Sequence, residues 1–327
     1  MDLTDEEFAQ WVFDRGDRVE ARLHDAVQSP YCLVTEASHY LIDAGGKRFR
    51  PSLVIAAGGL GLASGQIWEE ALLSAATVVE LTHVASLYHD DVMDEAELRR
   101  GIPTAQKQYG NSVAIMIGDY MLAKSSLIGS GLGADFVAWQ AQTLARLVQG
   151  QVAELRGPAP DVDPLDHYLQ VVSDKTAALI AASVRYGAMF SGQSADQIEA
   201  LTAYGEQLGM AFQVADDLLD IVGVGEESGK QPGTDLREGV ATLVPLLIKR
   251  ANRPEDARLL DLLSAPVAEP DIPEALSLLR VHPAVDEART QVRHWADQAE
   301  SHLAGFPDTA PTRALKILCE QAVVRSR

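Results

Sequence analysis

His83-Val84-Ala85-Ser86-Leu87-Tyr88-His89-Asp90-Asp91-Val92-Met93-Asp94 closes a stretch, residues 67–94, that contains neither proline nor glycine. Within it Leu72, Leu73, Ala76, Val79, Leu81, Val84, Leu87 and Tyr88 recur at helical spacing, which predicts one uninterrupted helix. Working outward, residues 111–128, 134–155, 164–190 and 195–222 read the same way, with isolated glycines such as Gly118 and Gly187. Stop signals separate them: Gly45-Gly46, Gly101-Ile102-Pro103, Gly157-Pro158-Ala159-Pro160 and the span 223–233. Residues 253–273 carry four prolines and predict short helices and turns. Ala, Leu, Glu and Gln dominate and β-branched runs are short, so the expected fold is all-α. Several helices are apolar nearly all round, as in a large bundle with buried central helices. No composition shift marks a linker, so residues 1–327 are expected to form a single domain.

Charge narrows the function. The chain carries 47 acidic and 27 basic residues, a net charge of −20. That argues against a basic nucleic-acid face and against a polybasic lipid-docking surface. Two cysteines, Cys32 and Cys319, can build neither a disulfide framework nor a zinc cluster. The acidic N-terminus lacks signal-peptide character, and the best membrane-span candidate, 51–68, is broken by Gly58, Gly59, Gly61, Ser64, Gly65 and Gln66. The expectation is a cytoplasmic protein without a transmembrane segment.

The chemistry lies in two Asp-Asp-x-x-Asp clusters, Asp90-Asp91-x-x-Asp94 and Asp216-Asp217-x-x-Asp220. Positions i and i+4 share a helix face, which pairs Asp90 with Asp94 and Asp216 with Asp220. Asp91 and Asp217 are turned about 100° from that face. An exposed acidic helix end costs only about 0.2–0.5 kcal/mol per like-charged pair, and alone would mean little. Here apolar sequence precedes each cluster, and two charges about 4 Å apart repel by up to about 4 kcal/mol at an effective dielectric of about 20. Cations relieve that repulsion. Oxygen ligands without His or Cys suit Mg²⁺ shared with substrate phosphates. Basic groups stand close in sequence: Lys47-Arg48-Phe49-Arg50, Arg99-Arg100, Lys175 and Lys230. Each alone reads as a surface cation; their placement beside the acidic clusters is the informative feature.

These residues resemble the trans-isoprenyl diphosphate synthases of the polyprenyl synthetase family. The likeness runs from about residue 37 to 247: Gly45-Gly46-Lys47-Arg48-x-Arg50-Pro51, Glu80 through Asp94, Arg99-Arg100-Gly-x-Pro-Thr104, Gly118-Asp119, Lys175-Thr176-Ala177, Phe212-Gln213-x-x-Asp216-Asp217-x-x-Asp220 and Gly229-Lys230-x-x-Gly233-Thr234-Asp235. The resemblance implies an isoprenoid-synthase helical bundle around an elongated central cavity, and a homodimer. It implies head-to-tail condensation of an allylic diphosphate with isopentenyl diphosphate, through Mg²⁺-assisted ionisation to an allylic cation. By matched position, Asp90, Asp94, Asp216 and Asp220 resemble the Mg²⁺ ligands, and Arg99, Lys175 and Lys230 the clamp on the allylic diphosphate. Lys47, Arg50, His83 and Arg100 resemble the isopentenyl diphosphate site, though His83 also reads as a satisfied core histidine. Thr176 and Gln213 would turn oxygen dipoles toward the cation; His89 reads as structural. The sequence departs from the family pattern at Val240, where many relatives carry Lys, and at Thr242-Leu243-Val244-Pro245.

Small residues, Ala85 and Ser86, stand about one turn before Asp90. In this family bulky aromatics there stop the chain early, so the expected product is a polyprenyl diphosphate longer than farnesyl, of medium or long chain. Met121, Leu122 and Leu127 could instead close the cavity at geranylgeranyl diphosphate. Two further alternatives are a class I terpene cyclase, for which Lys47, Arg50 and Arg100 would have no task, and a non-catalytic regulatory subunit.

Overall fold

The computed structural model of the chain describes residues 3–223 and 232–326. Local chemistry starts the first helix: the Thr4 side chain accepts from the Glu7 backbone N–H while the Glu7 carboxylate accepts from that of Thr4, opening α1 (Asp5–Ala26). Then follow α2 (Cys32–Asp43), α3 (Phe49–Gly58), α4 (Glu69–Met93), α5 (Ala105–Tyr109), α6 (Asn111–Ser130), α7 (Ala134–Arg156), α8 (Pro164–Val172), α9 (Ala178–Met189) and α10 (Ala195–Val222). The rest comprises α11 (Thr234–Glu238), α12 (Leu243–Ala251), α13 (Ala257–Leu262), α14 (Ile272–Arg280), α15 (Pro283–Ser301) and α16 (Ala310–Arg325). Among the described residues the regular structure is helical apart from one hairpin, β1 (Leu98–Arg99) with β2 (Ile102–Pro103).

Two compact units divide the chain. The first takes Met1–Ala145, Ala182–Thr202 and Phe306–Leu315; the second takes Arg146–Ala181, Ala203–Gly305 and Lys316–Arg327.

In the first unit α4 is the core element. Leu72, Leu73, Ala75, Ala76, Val78, Val79, Leu81, Val84, Ala85 and Tyr88 are all buried, which covers every side of the helix. It packs on α1, α3 and α6. Tyr88 ties α4 to α2, its hydroxyl donating to the Ala37 carbonyl and accepting from the Leu41 N–H. Thr82 on α4 shares a buried hydrogen bond with Ser125 on α6, which accepts from Gln140 on α7, so both hydroxyls are matched. α4 is long and apolar enough to cross a membrane, but 72% of its apolar window is buried inside the protein. That corrects the choice of 51–68 as the best span: the hydropathy of α4 serves a core.

In the second unit the central element is the latter part of α10, with Tyr204, Leu208, Ala211, Val214, Ala215, Leu218 and Ile221 buried. Residues 164–190, read from sequence as one helix, are interrupted by a π-helical turn, Ser173–Ala177. A Cβ on Gly209 of α10 would lie 2.5 Å from the Ala177 Cα, so only glycine lets α10 rest directly on this wide turn. Arg146 braces the same turn through Asp174 and holds Glu206 on α10. Arg280 donates to the Ile221 and Gly223 carbonyls and closes the C-terminal end of α10.

Candidate active site

The first unit gathers cations around the upper part of α4. Arg48 sits at the left-handed N-cap of α3 (φ 44°) and is neutralised by Glu20 and Glu80. Arg50 donates from Nη1 to His83 Nε2 at 3.3 Å, and its buried Nε has no hydrogen-bond partner. Arg100 donates to the Leu41 carbonyl at 2.8 Å and to that of Gly45. A Cβ on Gly46 (φ +144°) would stand 2.9 Å from the Arg100 guanidinium. Lys47 is exposed beside them. Arg100 and Gly101 form the hairpin turn with φ of 54° and 81°, the geometry of a type I′ turn. A non-glycine residue held at positive φ is strained, and here the strain aims a guanidinium into the cluster.

An arginine can only donate, so His83 Nε2 must accept, and the imidazole is the neutral tautomer with its proton on Nδ1. Burial pushes the His83 pKa well below the usual imidazole range, and Arg50, Arg100, Arg99 and Arg48 push the same way. Burial also lowers the pKa of Arg50 and Arg100. His83 is therefore a neutral residue inside a cationic cluster, not an isolated core histidine.

The first aspartate motif ends α4. Asp94 is the C-cap and is exposed, Asp90 is half-buried, and Asp91 is fully buried. Arg99 donates twice to Asp91 Oδ1, from Nε at 2.8 Å and Nη2 at 2.6 Å. Burial raises the Asp91 pKa while Arg99 opposes the rise. The Cβ position of Gly118 on α6 falls 2.3 Å from His89 Nε2, so His89 fills the space over a glycine.

The second unit carries the other motif near the end of α10. Asp216 forms an ion pair with Arg325 at 2.9 Å, and the guanidinium also lies over the Phe212 ring, one turn earlier. Asp220 accepts the backbone N–H groups of Thr234 and Asp235, at 3.1 and 3.0 Å, and so anchors the start of α11. Asp217 accepts from Tyr168 Oη at 2.5 Å and Gln213 Nε2 at 2.8 Å. Burial lifts its pKa to about 6, with Asp216 and Asp220 adding to the rise and the two hydrogen bonds opposing it. Lys175 pairs with Glu154, and Thr176 donates to Gln213 Oε1 at 2.9 Å. Lys230 lies outside the described residues.

Among the described residues no group of three or more His, Cys, Asp or Glu side chains converges on one point. Each motif offers a pair of carboxylates on one helix face, which suits a hard cation that completes its shell with water and substrate phosphate. Three neighbours of these motifs escape sequence reading. Arg325 lies in the C-terminal stretch that carries no motif; Tyr168 sits seven residues before Lys175, which is itself inside the π turn; Glu154 reads as a solvated charge. Of the three residues considered as a plug, Met121 is buried, Leu122 half-buried and Leu127 68% exposed, so Leu127 closes no cavity within the chain.

A helical fold with two carboxylate motifs and a half-buried cation cluster has the groups that handling diphosphates would need. The profile of the Polyprenyl synthetase family matches residues 32–279, and the chain belongs to that family. The match extends past the span of about 37–247 read from the motifs. The chain is 43% identical over 326 residues to the nonaprenyl diphosphate synthase of Mycobacterium tuberculosis, covering 99% of this chain and 96% of that one. Among crystal structures, the polyprenyl synthase of Caulobacter crescentus, complexed with calcium and isoprenyl diphosphate, superposes with a TM-score of 0.88 at 31% identity, covering 100% and 99% of the two chains. The geranylgeranyl pyrophosphate synthase of Corynebacterium glutamicum, likewise complexed, gives 0.87 at 38% identity, covering 99% of each. The protein is a prenyl diphosphate synthase, a transferase of prenyl groups.

Proposed function

We propose that the enzyme adds isopentenyl diphosphate head to tail onto an allylic diphosphate and releases an all-trans polyprenyl diphosphate longer than farnesyl. The carrying observation is the half-buried Arg50–His83–Arg100 cluster, in which the buried Arg50 Nε has no hydrogen-bond partner among the described residues. It is a ready anion site in addition to the carboxylate motifs, and a terpene cyclase has no second diphosphate to place there. Lys47, Arg50, His83 and Arg100 bind the isopentenyl diphosphate. Asp90 and Asp94 form one cation-binding pair, Asp216 and Asp220 another. Arg99, Lys175 and Lys230 take up charge on the allylic diphosphate, and Thr176 and Gln213 face the reacting carbon.

Magnesium bound at the carboxylate pairs would neutralise the charge that grows on the departing diphosphate. The allylic C–O bond breaks with its electron pair on that group. The isopentenyl double bond then forms the new C–C bond, and a proton is lost to restore an alkene. Calcium with isoprenyl diphosphate in the two related crystals supports a divalent cation here. Relatives named nonaprenyl and octaprenyl diphosphate synthase support the longer product over geranylgeranyl diphosphate. Both compact units are assembled from three chain segments each, which supports one catalytic domain over the whole chain. We further infer a homodimer, on the strength of exposed apolar residues on α6 (Ile115, Met116, Leu127) and on the second half of α7 (Val148, Val152, Leu155).

The test is product analysis with farnesyl diphosphate, isopentenyl diphosphate and Mg²⁺. A polyprenyl diphosphate beyond twenty carbons is expected. A twenty-carbon product would make it a geranylgeranyl diphosphate synthase, and a hydrocarbon formed from allylic substrate alone would make it a cyclase.

A further inference from the structure

Tyr168 is buried in the middle of α8, and the proposed diphosphate and metal sites do not use it. Its hydroxyl donates to Asp217 Oδ2, Gln213 Nε2 donates to Asp217 Oδ1, and Thr176 Oγ1 donates to Gln213 Oε1. The directions in this chain are fixed by chemistry. Both carboxylate oxygens of Asp217 accept, so Gln213 must turn its NH₂ toward them. The amide oxygen then faces Thr176, and since that oxygen only accepts, the Thr176 proton is committed to it. What Thr176 has left for any other partner is lone pairs alone.

We propose that Tyr168 and Asp217 are positioning residues that lock the Gln213 amide in one orientation and so oblige Thr176 to show the prenyl cation only an acceptor. The inference rests on the reading that Thr176 and Gln213 face the reacting carbon. A hydroxyl free to rotate could turn its proton toward a positive centre and repel it; this relay removes that state before the cation forms, and no reorganisation is required at the moment of ionisation. The π turn supplies the geometry, since it sets Thr176 against α10 while Tyr168 reaches the same helix from the preceding turns.

Steady-state kinetics on the full-length enzyme test it. Tyr168→Phe should lower kcat about 10-fold while KM for both diphosphates stays within about 3-fold. In a Thr176→Ala background the same change should cost less than about 2-fold, because the group it orients is gone. An equal loss of kcat in both backgrounds would overturn the relay. An unchanged kcat for Thr176→Ala alone would overturn instead the reading of Thr176 on which the relay stands. A second pair of variants does not depend on Tyr168→Phe folding well. With the Tyr168 hydroxyl still donating to the one remaining oxygen, Asp217→Asn turns its NH₂ to Gln213, flips that amide and should lower kcat about 100-fold. Adding Gln213→Glu restores an acceptor on both sides and should recover at least about 10-fold of kcat. Failure of that rescue would also overturn the proposal.

Discussion

At the residue scale the cation cluster is governed by which partner can donate. Arg50 forces His83 to be neutral, and burial among four guanidinium groups keeps it so. The folded pKa is therefore depressed below an unfolded value of 6.5, and the unfolded chain binds more protons as pH falls. Stability contributed at neutral pH is lost progressively below about pH 6.5, by at most about 1.4 kcal/mol per pH unit. Denaturant titrations of wild type and His83→Gln between pH 7.5 and 5 should show the wild type losing more on acidification; parallel curves would mean His83 protonates freely in the fold. The spacing of Asp90, Asp94, Asp216 and Asp220 was legible in sequence because helical periodicity fixes which carboxylates share a face. The pairing of Arg99 with buried Asp91 was not, since a hairpin with two left-handed residues turns that guanidinium back onto α4. Nor was Arg325 against Asp216, which depends on contacts 109 residues apart.

At the element scale, α4 was readable from end to end because it has no breaker and is apolar on all sides. The π turn at Ser173–Ala177 was invisible, because one extra residue per turn leaves no mark in composition or hydrophobic spacing. Its role can be isolated by deleting Ser173, which should regularise the turn to α-helix and rotate Tyr168 about 100° relative to Lys175 and Thr176. Turnover should fall by about 100-fold or more with helical circular dichroism retained; near-normal turnover would show that the wide turn is dispensable. The structure also separates two residues that sequence reading treated alike. Ala85 is wholly buried in the packing of α4, whereas Ser86 is half-buried with its hydroxyl on the His83 carbonyl. Ser86→Phe should therefore shorten the product distribution in a radiolabelled chain-length assay. Ala85→Phe should instead overpack the core and cost about 1–3 kcal/mol in unfolding free energy. Unchanged products with Ser86→Phe would remove Ser86 from the path of the growing chain.

At the scale of the whole molecule, the charge of −20 and the exposed apolar residues pull association in opposite directions. Two copies carrying that charge repel through water over a screening length of about 10 Å at 0.1 M salt. The proposed dimer would then have to be held by apolar area, and Ile115, Met116 and Leu127 on α6 are exposed side chains that could supply it. An interface of this kind strengthens with ionic strength, because salt screens the repulsion and leaves burial of apolar surface intact; one built on ion pairs weakens. Light scattering over a dilution series should therefore give a tighter dimer at 0.5 M than at 0.05 M NaCl. Met116→Glu with Leu127→Glu should shift the population to monomer at both, since each charge would have to be buried against like-charged surface. A dimer that loosens with salt, or survives both substitutions, would place the interface elsewhere on the chain.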